Sequence, residues 1–181
     1  MKTQAAFCCG LLVAAMACLW PTAGAQSTDH SFVKEAASGG MAEVKLGQLA
    51  EQNGSSKAVK EFGSRMVADH SKANDQLKEA ASRDNINVPA AMSQKDQATY
   101  ERLSKLSGRE FDKAYAATMV KDHREDVAAF KKEATAGTNT GIKQFASETL
   151  PTLEEHLKMA EAMQKTVGVM NESSSRTPTS H

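Results

Sequence analysis

Apolar residues in this chain recur three and four positions apart over four long stretches, and that spacing does most to limit what it can fold into. Val59, Phe62, Met66, Ala73 and Leu77 form one such stripe, and Phe111, Tyr115, Met119, Val127 and Phe130 form another. Phe145, Leu150, Leu153, Leu157, Ala160 and Met163 form a third. This is the period of an α-helix with one buried face. Aromatic residues make up 5% of the chain, and the abundance of Ala, Lys, Glu, Gln and Met favours helices over sheets.

The spacing predicts helices over about 29–52, 56–84, 109–136 and 142–167. Asn53-Gly54 and "TAGTNTG" (135–141) act as stop signals. Pro151 is expected to kink the last helix or to begin its main section. Between the second and third helices lies "NINVPAAMSQKDQATYERLSKLSG", which opens as a loop at Pro89 and holds a short helical stretch near 96–106. A connection of that length can cross a bundle from end to end. The expected fold is therefore all-α, a ferritin-like four-helix bundle with a long connection, carrying a short helix, between helices two and three. The alternative is an up-down-up-down bundle with a broken third helix.

The first residues, "MKTQAAFCCGLLVAAMACLWPTAGAQ", read as a secretory leader. Lys2 gives the positive start, Ala5 to Trp20 an apolar run, and Ala23-Gly24-Ala25 a small-x-small cleavage site before Gln26. The apolar run is about 16 residues, short of the ~20 that span a bilayer. The expected organisation is a cleaved signal peptide over 1–25, a bundle domain over 26–168 and a polar disordered tail over 169–181. That places the mature protein in the periplasm or outside the cell, with no membrane span. A lipid anchor at Cys18 or association with the outer membrane is the alternative. Cleavage removes Cys8, Cys9 and Cys18, all the cysteines of the chain. Any metal site must then use histidine and carboxylate ligands.

The 22 basic and 22 acidic residues balance. No global field favours nucleic acid, and a protein partner is the class left open. No oligomeric state is legible.

"MVADH" (66–70) and "MVKDH" (119–123) repeat one pattern in two different helices. At 100° per residue, His70 lies about 40° from the centre of its apolar stripe and Asp69 about 60° away on the other side. His123 and Asp122 flank their stripe in the same way, and His156 sits about 40° from the centre of its own. In the first helix Phe32, Ala36, Gly40, Glu43, Leu46, Gly47 and Ala50 share a face, with Glu43 near its middle. Gly40 and Gly47, a heptad apart, allow a neighbouring helix to approach closely. Counted from the connecting turns at ~1.5 Å per residue, Glu43, His70, His123 and His156 come to similar heights, one on each helix.

Two readings of such a layer stand. Three imidazoles and a carboxylate suit a first-row transition metal such as zinc, copper, iron or manganese, with Asp69 and Asp122 as orienting groups or alternative ligands. Alternatively, the histidines hydrogen-bond to Glu43, Asp69 and Asp122 and only fix the register of the bundle. A ferritin-like oxidase is disfavoured, because Val67, Val120 and Leu153 stand where a Glu-x-x-His pattern needs carboxylates. No phosphate loop or nucleophile constellation appears, so no catalytic residues are assigned and an enzyme is not expected. Met66, Met119 and Met163 fall on core stripes and read as packing residues.

"MAEVKLGQLA", "VKEFGSRMVADHSKANDQL", "LSGREFDKAYAATMVKDHREDVAAF" and "LPTLEEHLKMA" together resemble the bacterial family catalogued as domain of unknown function 4142. The likeness runs from Ser31 to about Val167. It implies an exported protein with a ferritin-like fold and marks Glu43, His70, Asp112, Tyr115, His123 and His156 as motif positions. It implies no activity. A structural or interaction module, stress-related in role, remains the alternative to metal binding.

Overall fold

The computed structural model describes residues 23–175. The apolar run of the leader and residues 176–181 of the expected tail lie outside them. The protein is all-α, with helices α1 (Ala23–Asn53), α2 (Lys57–Arg83), α3 (Gln94–Ser104), α4 (Gly108–Ala136) and α5 (Thr140–Ser175). The expected cleavage point after Ala25 falls in the first turn of α1. Helix α5 runs past Gly168 to Ser175. It also runs through Pro151. Pro151 faces solvent, where water can satisfy the carbonyl that loses its helical donor.

Local chemistry sets the ends. Ser56 caps α2 by accepting from the Val59 amide, and Ser93 caps α3 by accepting from the Asp96 amide. Asn139 accepts from the Ile142 amide at the start of α5. Gly108 opens α4 with φ +60°, a backbone conformation that suits glycine.

The α1–α2 turn and the start of α4 share one end of the bundle. There Asp112, 2% exposed, accepts hydrogen bonds from the Ser55 amide, the Ser55 hydroxyl and the Ser56 amide. At the opposite end Asp29, on α1, accepts from the Thr138 amide, the Thr138 hydroxyl and the Asn139 amide in the α4–α5 turn. Hence α1 and α5 run one way, α2 and α4 the other, and the connection between α2 and α4 travels the length of the bundle. Within it, α3 is strapped to α1: Ser38 hydrogen-bonds both the Ser93 amide and Asp96, and Asn53 donates to the Leu106 carbonyl. The long crossover expected from the sequence is present, an arrangement compatible with a ferritin-like bundle.

Helices α1 and α2 bring their backbones close together at Gly47 and Gly63. A Cβ on Gly47 would lie 2.6 Å from the Gly63 carbonyl oxygen, and one on Gly63 would lie 2.7 Å from the Gly47 carbonyl oxygen. Two blocks of apolar residues fill the interior. One gathers Leu46, Phe62, Met66, Tyr115, Met119 and Met163, and the other Phe32, Val33, Leu77, Phe130, Phe145 and Leu153. The histidines lie between the two blocks.

Candidate metal centre

Glu43 on α1, His70 on α2, His123 on α4 and His156 on α5 are all buried, with exposures of 4%, 5%, 0% and 1%. The ring centroids are 5.8 Å apart for His70–His123 and 5.4 Å for both His70–His156 and His123–His156. Phe62 closes one side, in T-shaped contact with His123 and His156. The four residues read from helix faces and heights do meet in one mid-bundle layer.

Each imidazole is anchored through one nitrogen. Nδ1 of His123 lies 3.0 Å from the Met119 carbonyl oxygen, one turn back on its own helix. A carbonyl can only accept, so this nitrogen carries the proton and Nε2 keeps its lone pair. Nε2 of His156 donates to Asp69 at 2.9 Å. Nδ1 of His70 lies 2.9 Å from Oε2 of Glu43, whose other oxygen is 3.4 Å from Nδ1 of His123. The remaining nitrogens, His70 Nε2, His123 Nε2 and His156 Nδ1, have no hydrogen-bond partner among the described residues. One nitrogen from each of the three rings lies within 4.8 Å of one from each of the others.

Electrostatics keep the rings neutral. Burial holds His70 down at about 4, and burial also lowers His123 and His156, against the opposing pull of Glu43 and Asp69 respectively. Burial pushes Glu43 up to about 7, although His123 draws it back. Asp69 behaves differently. Partial burial pushes it up, but hydrogen bonds from Arg65 and His156 outweigh that and hold it below the ordinary carboxylate range.

Asp69 therefore serves a ring as expected of it, but the ring is His156 across the bundle rather than its neighbour His70. Asp122 is half-buried beside Lys121 and makes no hydrogen bond to an imidazole among the described residues. Asp126, which the sequence reading did not single out, belongs to the layer. One ligand atom each from Glu43, His123 and Asp126 also lies within 4.8 Å of the others. Its signal was present, since Asp126 follows His123 by three residues and shares its face. Of the other motif positions, Asp112 ties the α1–α2 turn. Tyr115 is fully buried between Phe62 and Phe111 with its hydroxyl unpartnered among the described residues.

Among the described residues no helix is long and apolar enough to cross a membrane. In a structural comparison the chain is similar to a protein described as secreted, a DUF305 protein from Streptomyces coelicolor. The TM-score is 0.66 at 13% identity, covering 78% of this chain and 92% of that one. At that identity the likeness speaks for the fold. No curated protein matches the chain at a significant level. Residues 18–163 match the family described as domain of unknown function (DUF4142), and the chain belongs to that family.

Proposed function

We propose that this protein binds a transition-metal ion through His70, His123 and His156, and does so outside the cytoplasm. The observation that carries the reading is the anchoring of the rings. Each imidazole fixes one nitrogen on a carboxylate or carbonyl and leaves the other without a protein partner among the described residues, and the three rings bring one nitrogen each to within 4.8 Å of the others. Buried polar atoms seldom stay unpaired, and ligating imidazoles whose other nitrogen is held by a carboxylate or carbonyl are the usual build of a metal site. Three neutral nitrogen donors suit zinc, copper or iron and leave room for a further ligand. In this reading Glu43, Asp69 and the Met119 carbonyl orient the ligands. Export is supported by the leader-like segment 1–25, with 26–168 as the working domain and the remainder as a tail.

The test is metal content. Protein produced in the periplasm should carry near-stoichiometric metal, and a His70→Ala, His123→Ala double variant should lose it and melt at a lower temperature. Absence of metal in the parent, even after reconstitution with zinc, copper and iron, would leave the layer as a register-setting polar core. The cross-helix pairs His70–Glu43 and His156–Asp69 favour that second reading, and a search for partners would then take precedence.

A further inference from the structure

Beside the histidines, α1, α3 and α4 and the loop before α3 enclose a cavity of about 450 Å³, and Glu43, Asp122 and Asp126 are among its walls. Its floor is unusual. Oε1 of Glu43, on a side chain 5% exposed, has no N–H or hydroxyl donor among the described residues; the group it meets is the carboxyl of Asp126, a ligand atom of which lies within 4.8 Å. Two buried carboxyl groups that face each other repel when ionised and need a proton or a cation between them.

We infer that Glu43 Oε1 and Asp126 form a second, oxygen-based site for a hydrated divalent cation, entered from this cavity and separate from the three imidazole nitrogens. The donors decide the class of ion. Nδ1 of His123 is the ring nitrogen near Glu43, but the Met119 carbonyl already holds its proton. Two carboxylates and water remain, a set that suits manganese or magnesium better than copper. A water molecule takes about 30 Å³ of liquid, so the cavity has room for an ion that keeps several of its waters.

The site shares its neighbourhood with the zinc, copper or iron centre proposed above but does not depend on it, and two probes separate them. Manganese(II) would be titrated into the purified protein, with the free ion read by electron paramagnetic resonance, before and after saturation with zinc. The expected result is about one manganese per chain in both cases, weakened at least tenfold in Asp126→Asn. Circular dichroism and melting would confirm that the variant is folded. Glu43→Gln should lose manganese in the same way and supplies the reading if Asp126→Asn does not fold. Manganese that binds with Asp126-dependence while zinc does not bind would support this site and sink the tri-histidine one. Manganese displaced by zinc, equal in parent and variants, or absent altogether would overturn the inference, and a proton shared by the two carboxyls would then account for the geometry.

Discussion

Glu133, near the end of α4, is 5% exposed and hydrogen-bonds through its carboxyl group to Asp29. Asp29 is itself fixed by Thr138 and Asn139. Burial and the neighbouring Asp29 charge push Glu133 up from 4.5 to about 7. Burial also pushes Asp29 up, but its hydrogen bonds from Thr138 and Asn139 prevail and hold it below its ordinary value. One proton thus stays on Glu133 and donates to an ionised Asp29. The linkage has a definite sign. A carboxyl group whose folded value lies above its unfolded value contributes stability that is complete below about 4.5 and is lost as pH rises through about 7. At about 1.4 kcal/mol per pH unit, the gap amounts to roughly 3 kcal/mol.

Glu133→Gln removes the titration and keeps a donor for Asp29. Its amide cannot ionise, so the variant should match the parent at pH 5 and exceed it by about 2–3 kcal/mol at pH 8. For a domain of this size that is a rise in melting temperature of roughly 5–10 °C at the higher pH. Chemical denaturation at a series of pH values gives the difference directly. A stability difference that stays constant from pH 5 to 8, or that narrows as pH rises, would refute the shared-proton account.

The same structure sets further expectations. Gly47→Ala places a methyl group 2.6 Å from the Gly63 carbonyl oxygen; overpacking of about 1–3 kcal/mol against about 1 kcal/mol gained in helix propensity predicts a net loss of up to about 2 kcal/mol. Gly39→Ala, which meets nothing within 4 Å, should instead raise stability by up to about 1 kcal/mol in the same denaturation experiment. Asp112→Ala strands the amides of Ser55 and Ser56 and should cost about 2–4 kcal/mol, while Asp112→Asn recovers part of it. In the metal-free protein, Glu43 gains stability as pH falls from about 7 toward 4.5, while His70 loses it between 6.5 and about 4. These effects oppose each other, so Glu43→Gln should expose the histidine loss and melt more steeply on acidification than the parent; equal slopes would contradict the assignment.

The helices were legible because each carries its own record of which face is buried. Phe32, Leu46 and Ala50 of α1, and Val59, Phe62 and Met66 of α2, are buried as their spacing required. The ends were less so. Polar composition by itself does not stop a helix, and α5 continues to Ser175. Pro151 lies inside α5 rather than beginning it, and the cost of its missing N–H is high only in a dry interior. Its exposed position removes most of that cost.

For the site, the one-per-helix layer could be found because angle and height are both properties of a single helix plus a short turn. What holds each ring is a property of two helices at once. Asp69 precedes His70 in sequence, which invites pairing them, yet consecutive residues on a helix point about 100° apart. That divergence turns His70 inward to Glu43 and swings Asp69 to the α2–α5 seam, where His156 arrives from the facing helix. Arg65, one turn earlier on α2, then reaches Asp69 and Glu155 from the solvent side. It keeps the carboxylate ionised, so that Asp69 can only accept. The tautomer of His156, and with it the free lone pair on Nδ1, therefore depends on an exposed arginine that no pattern of buried residues could have indicated.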